Sequence, residues 1–136
     1  MDWKTFEKVA RARMSKEFKS DLTPSFEGIS INGKSKKFDM ENTPNKIVGD
    51  AKFYTNTSGG NIPSAKRSTA NEYAFLMQKL GPEWRKFLVF GNNNNNEDMA
   101  RKYVEDFKRW LVDENTSTVE VYFYDWKNDK LTLILK

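Results

Sequence analysis

The segment Ile47-Val48-Gly49-Asp50-Ala51-Lys52-Phe53-Tyr54 reads as an apolar strand that carries an acid and an amine two residues apart. Side chains two apart on a strand share a face. Val48, Asp50, Lys52 and Tyr54 therefore fall on one side, and Ile47, Gly49, Ala51 and Phe53 on the other. The small Gly49 and Ala51 are expected to let a helix come close to that second side. The preceding strand supplies another acid, Asp39, which comes near Asp50 if the two strands are neighbours. Two carboxylates this close repel unless they share a proton or a cation. Oxygen ligands of this kind suit Mg²⁺, which keeps most of its waters and needs only one or two protein carboxylates. An amine alongside could position the attacking water, help lower its pKa, or neutralise charge that develops on a phosphorus centre. Together these residue types make a hydrolytic site for phosphodiesters.

A blander reading stands beside this one. The pattern acid-any-Lys occurs five times, at Asp2-Lys4, Glu17-Lys19, Asp50-Lys52, Asp106-Lys108 and Asp125-Lys127. On a helix such residues point about 200° apart and cannot act together, which disposes of the pairs expected on helices. Asp125 and Lys127 lie beside a turn, where solvated charge is ordinary. Asp50-Lys52 sits inside an apolar strand that follows another acid-bearing strand. The alternative for it is a surface ion pair on an edge strand.

Composition narrows the chemistry further. The chain has 136 residues, 38% of them hydrophobic and 14% aromatic, which suits one globular domain with one core. Its formal net charge is +4, a mild bias compatible with nucleic acid or another anionic surface. There is no Cys and no His. That excludes disulfides, the usual structural zinc sites, and Ser-His-Asp or Cys-His nucleophiles. What remains is carboxylates, Lys, Tyr, hydroxyls or a metal held by oxygen. No apolar signal region opens the chain and no run approaches membrane-spanning length, so a cytoplasmic protein without a membrane partner is expected.

The elements that must position these residues follow from periodicity. Trp3, Phe6, Ala10, Met14 and Phe18 recur at helical spacing and predict a first helix over 2–19. Strands are predicted over 26–31 and 36–41, joined by the hairpin signal Asn32-Gly33, with a third over 46–54. After a long polar loop, Thr69 and Glu72 suit a capping box that starts a second helix over 69–80, with Tyr73, Leu76, Met77 and Leu80 as its buried stripe. A strand over 86–90, a helix over 97–112 and strands over 119–126 and 130–135 complete the chain. The order α-β-β-β-α-β-α-β-β predicts an α/β (α+β) fold, a mixed sheet with helices packed on it. Its first three strands form a meander, and a parallel crossover follows.

These residues, in this order, resemble the PD-(D/E)XK nuclease superfamily, which includes restriction endonucleases and Holliday-junction resolvases. The matching pieces are an acid in the first helix, "KFDMEN" with Asp39, and "IVGDAKFY" with Asp50 and Lys52, over roughly residues 3–90. Ten residues separate Asp39 from Asp50, a spacing that suits the family. Phe38 stands where the family often has Pro, and Asp50 where Glu is commoner. The resemblance implies a restriction endonuclease-like α-β-β-β-α-β core, here with an added helix and a C-terminal β-hairpin. It implies Asp39, Asp50 and the backbone oxygen of Ala51 as ligands of Mg²⁺ or Mn²⁺, and Lys52 as the catalytic lysine. A further catalytic Glu on the first helix would be Glu7 or Glu17, with Glu7 better placed early in the helix.

For nucleic acid, the loop after Lys52 offers Gly59 and Gly60 for close backbone approach, then Ser64, Lys66, Arg67 and Ser68 just before a helix N-terminus. An ordinary solvated loop is the alternative. Arg101, Lys102, Lys108 and Arg109 are interrupted by acids, which suits a solvated helix face. Tyr122, Tyr124 and Trp126 share a strand face that is more often core or a dimer surface than a base-stacking platform. The leading expectation is a metal-dependent DNA endonuclease that acts as a homodimer. The runner-up is a non-catalytic DNA-binding or assembly subunit on the same fold.

Overall fold

The computed structural model describes residues 1–54, 64–110 and 119–135, with the side chains at 64, 65, 67, 68, 106, 107 and 110 outside the description. Gly59 and Gly60 lie outside the described residues. Helix α1 runs Trp3–Phe18. Asp2 caps it by accepting the Thr5 N–H at 2.8 Å, and Lys19 closes it in the left-handed conformation. Strands β1 (Ile29–Ile31), β2 (Lys34–Lys36), β3 (Met40–Asn42) and β4 (Ile47–Phe53) follow. Then come α2 (Ser64–Gln78), β5 (Arg85–Gly91), α3 (Asp98–Trp110), β6 (Glu120–Asp125) and β7 (Lys130–Leu135). Among the described residues no helix is long and apolar enough to cross a membrane.

The main sheet has five strands in the order β3-β4-β5-β6-β7. The β4-β5 and β5-β6 pairs are parallel, and the outer pairs β3-β4 and β6-β7 are antiparallel. The sheet is mixed, and helices cover both of its faces. On one face α1 lays Phe6, Ala10 and Met14 against Ile47, Ala51, Phe87, Val89, Tyr122 and Tyr124. On the other, α2 and α3 lay Ala70, Ala74, Met77, Met99 and Tyr103 against Val48, Leu88, Phe90, Val121 and Phe123. Strand alternation decides the division, since each strand sends odd and even positions to opposite helices. Tyr122 and Tyr124 are core residues, and Trp126 donates its indole N–H to the Asn92 carbonyl at 3.0 Å.

Four expectations need correction. The predicted three-strand meander is divided. β1 and β2 form a separate two-stranded ribbon around Asn32-Gly33, both at positive φ. The stretch expected as one strand over 36–41 breaks at Lys37–Asp39, because Phe38 turns into the core and Asp39 bonds to Asp50 instead of continuing a ladder. Helix α2 begins at Ser64, so Thr69 and Glu72 lie inside it and are no capping box. Trp3, expected on the buried stripe of α1, is 55% exposed.

Of the small residues, Ala51 acts as expected, with α1 packed close on β4, and Gly49 does not. A Cβ on Gly49 would stand 2.1 Å from the Phe87 ring, so the neighbouring strand's side chain, not a helix, fills that space. Phe87 is fully buried and held edge-on by Phe18 and Tyr122. With no room to retreat, Gly49→Ala is expected to destabilise the fold by about 1–3 kcal/mol, the usual cost of overpacking. Urea unfolding checks this, and an unchanged midpoint contradicts the packing described.

Candidate active site

The β3-β4 ladder ends at Met40 opposite Gly49. One step further the same register sets Asp39 opposite Asp50. Like charges in that position destabilise a strand pair. Here each carboxylate accepts an amide from beside the other. Asp39 N–H donates to Asp50 Oδ1 at 2.9 Å, and Ala51 N–H donates to Asp39 Oδ2 at 2.9 Å. Lys52 Nζ donates to the remaining oxygen, Asp50 Oδ2. Asp50 and Lys52 are 1% and 6% exposed, so this is a buried pair on an inner strand, not a decoration on an edge. A strand residue directs its N–H and C=O to the same edge. The Ala51 carbonyl therefore faces the side where Asp39 lies.

Burial pushes the Asp50 carboxyl up, to about 7, against the pull of the Lys52 ammonium, while the Asp39 charge adds to the rise. Glu7 comes from α1, which packs on the opposite face of the sheet, and lines the same opening beside Asp39. Its carboxyl is raised by burial first and by the Asp39 charge second, while Arg11 and Lys52 pull it down. Glu17 is elsewhere, in an ion pair with Arg13 at 3.1 Å.

An open pocket of about 350 Å³ gathers Glu7, Asp39, Asp50, Ala51 and Lys52, with Trp3 and Tyr54 also lining it. Helix α2 supplies one wall through Lys66, Thr69 and Tyr73, whose spacing places them on one helical face. Lys66 is exposed, with Nζ 4.9 Å from the centre of the Tyr54 ring. Ser64 and Ser68 lie in the same helix as Lys66 and Arg67, not in a loop before it. The side chains of Ser64, Arg67 and Ser68 are outside the described residues.

Tyr73 was not among the residues singled out for chemistry, because its place among apolar neighbours reads as core. Lys52 Nζ sits 3.6 Å from its ring centre, a cation–π seat. The spacing of Tyr73 with Lys66 and Thr69 was the signal that could have found it.

Among the described residues no three acidic side chains form a ready-made cage for a metal ion. Asp39, Asp50 and the Ala51 carbonyl make a smaller set of hard oxygens, and that set fits the sparse protein ligation Mg²⁺ accepts. Comparison with protein-family models, with curated proteins and with solved structures gives no match.

The Asp50 carboxyl is a measurable consequence of this geometry. Its pKa in the fold lies above the ordinary 3.8, so its contribution to stability is fully present below that value and is lost as the pH rises towards about 7. A ¹³C carboxyl titration of the metal-free chain should place the Asp50 midpoint near 7. Lys52→Met removes the cation that holds it down, and the midpoint should move higher. A parent midpoint near 4 contradicts the burial of this group.

Proposed function

We propose that this pocket hydrolyses phosphodiester bonds in nucleic acid, above all in DNA, as an endonuclease that uses Mg²⁺ or Mn²⁺. The observation that carries the reading is the convergence of two opposed carboxylates, a buried lysine and Glu7 on one open pocket. The resemblance in order and spacing to the PD-(D/E)XK superfamily supports it.

Asp39 and Asp50, with the Ala51 carbonyl, are the ligands for the cation. When bound, such an ion supplies Lewis-acid charge to the phosphate and lowers the pKa of water. The protein's own contribution is binding and placement. Lys52, drawn off Asp50 Oδ2, keeps its seat on Tyr73 and offers its ammonium to the attacking water or to the charge that builds on the phosphate oxygens. Glu7 adds a further acceptor on the Asp39 side of the pocket. Lys66 stands at the rim, where it can meet a neighbouring phosphate.

A second reading, a non-catalytic DNA-binding or assembly subunit, has one observation in its favour. Lys52 satisfies Asp50 internally, and a buried pair of this kind can persist with no cation at all.

Incubation with plasmid, linear and branched DNA separates the two. Cleavage is expected with Mg²⁺ or Mn²⁺ and none with EDTA. Lys52→Ala should lower the cleavage rate by about 10²-fold or more and leave DNA affinity near that of the parent. A Lys52→Ala variant that cuts as well as the parent contradicts the catalytic role. A parent that binds DNA and cuts nothing with either metal favours the subunit.

Two strands of a duplex need two sites, and one chain offers one. We propose a two-fold homodimer through the C-terminal strands, where β7 is an outer strand of the sheet and Leu133 is 45% exposed. Light scattering should give twice the chain mass on DNA. A monomer, free and bound, points instead to nicking or single-strand cleavage.

A further inference from the structure

Tyr73 carries two ammonium groups. Lys52 Nζ lies 3.6 Å from its ring centre and Lys36 Nζ 4.4 Å. Phe38, itself in the core, meets the ring edge-on at 6.1 Å and limits its movement. Lys52 is balanced by Asp50. Lys36 is half-buried and forms no ion pair among the described residues. Two like charges are drawn to one aromatic ring, and among the described residues one of them has no ion-pair partner. An anion that arrives at the pocket would supply it.

Lys36 belongs to the β1-β2 ribbon, not to the main sheet. The ribbon also carries Lys34, and Lys37 follows directly, both exposed. Between the ribbon and α2 runs a groove of about 370 Å³, bordered by Ile31, Lys34, Lys36, Glu72 and Leu76. Glu72 is the one carboxylate on that border, and it adjoins Tyr73 on α2. A chain of phosphates leaving the pocket past Tyr73 would enter this groove with lysines on the ribbon side.

We propose that Lys36, seated on Tyr73, is a subsite for a phosphate next to the one held in the pocket, and that the β1-β2 ribbon guides the nucleic-acid backbone away from it. The proposal rests on the nucleic-acid part of the reading above and not on catalysis. It moves a principal backbone contact from the segment after Lys52 to a ribbon that precedes Asp39.

Fluorescence anisotropy with labelled single-stranded and duplex DNA, in EDTA, tests it. Lys36→Ala should weaken binding and lower the slope of log K against log salt by about 0.7 on a single strand or about 0.9 on a duplex, one phosphate contact's worth. Lys36→Gln, which keeps a long stem against the ring, should show the same loss, and Lys36→Arg should restore the slope. Lys127→Ala, at the β6-β7 turn, should change neither affinity nor slope.

An unchanged slope in both Lys36→Ala and Lys36→Gln overturns the subsite. An equal loss in Lys127→Ala also overturns it, since diffuse charge would then explain the binding. Polyaspartate bound more tightly than DNA, with the same dependence on Lys36, would assign the surface to an acidic protein. A parent that binds no nucleic acid overturns the subsite and the nucleic-acid reading together. A parent that binds and shows the Lys36 effect but cuts nothing removes only the hydrolysis.

Discussion

Asp39 and Asp50 stand opposite one another at the point where a β-ladder gives out, and the surrounding structure answers their repulsion. In water the two would stay apart or be screened. Against the core, where effective dielectric is lower, the repulsion grows and each desolvated charge becomes costly. Amide donors from Asp39 and Ala51 and the ammonium of Lys52 offset that cost from within the same hairpin. The result is a set of oxygens held in a defined place by backbone, with its charge not fully cancelled.

Because backbone amides do the holding, the positions depend on how firmly β4 is seated. It is an inner strand, antiparallel to β3 and parallel to β5. Phe87 from β5 lies over Gly49, one residue before Asp50, with aromatic neighbours on two sides. Phe6 from α1 reaches Gly91 of β5 in the same close way. These contacts are apolar and rigid, and they tie the α1 face to the polar opening at the strand ends. The helices then bring residues the hairpin lacks, Glu7 from one face of the sheet and Tyr73 from the other.

Much of this was legible in the sequence. Alternation in "IVGDAKFY" placed Asp50 and Lys52 on one face, because strand period is a local property. The acid of the preceding strand could be brought near Asp50 on the assumption of neighbouring strands alone. Glu7, too, could be picked over Glu17 by its place on the wheel of a helix. What failed was non-local. Whether residues 36–41 form one strand or two depends on Phe38 reaching a core built by later helices, and on an amide that prefers a carboxylate to a ladder partner. The start of α2 was hidden because Ser64 to Ser68 are polar and read as loop. Trp3 fits an apolar stripe by period, yet at the first turn of α1 it lines the open pocket instead of the core. Tyr73 does pack against the core, as its place on the apolar stripe implies, but nothing local shows that the same ring also walls the pocket.

Strand order in the main sheet repeats chain order, β3 to β7. Neighbours in the sheet are therefore neighbours in the chain, joined by tight turns at the antiparallel outer pairs and by helical crossovers at the parallel inner ones. Asp39, Asp50 and Lys52 all fall within the first hairpin of that series. The hairpin alone would leave these groups in water and well screened. Their burial is completed from outside it, where α2 sets Tyr73 over Lys52. The electrostatic cost of the charged site therefore falls on the packing of a helix and not on the pairing of strands.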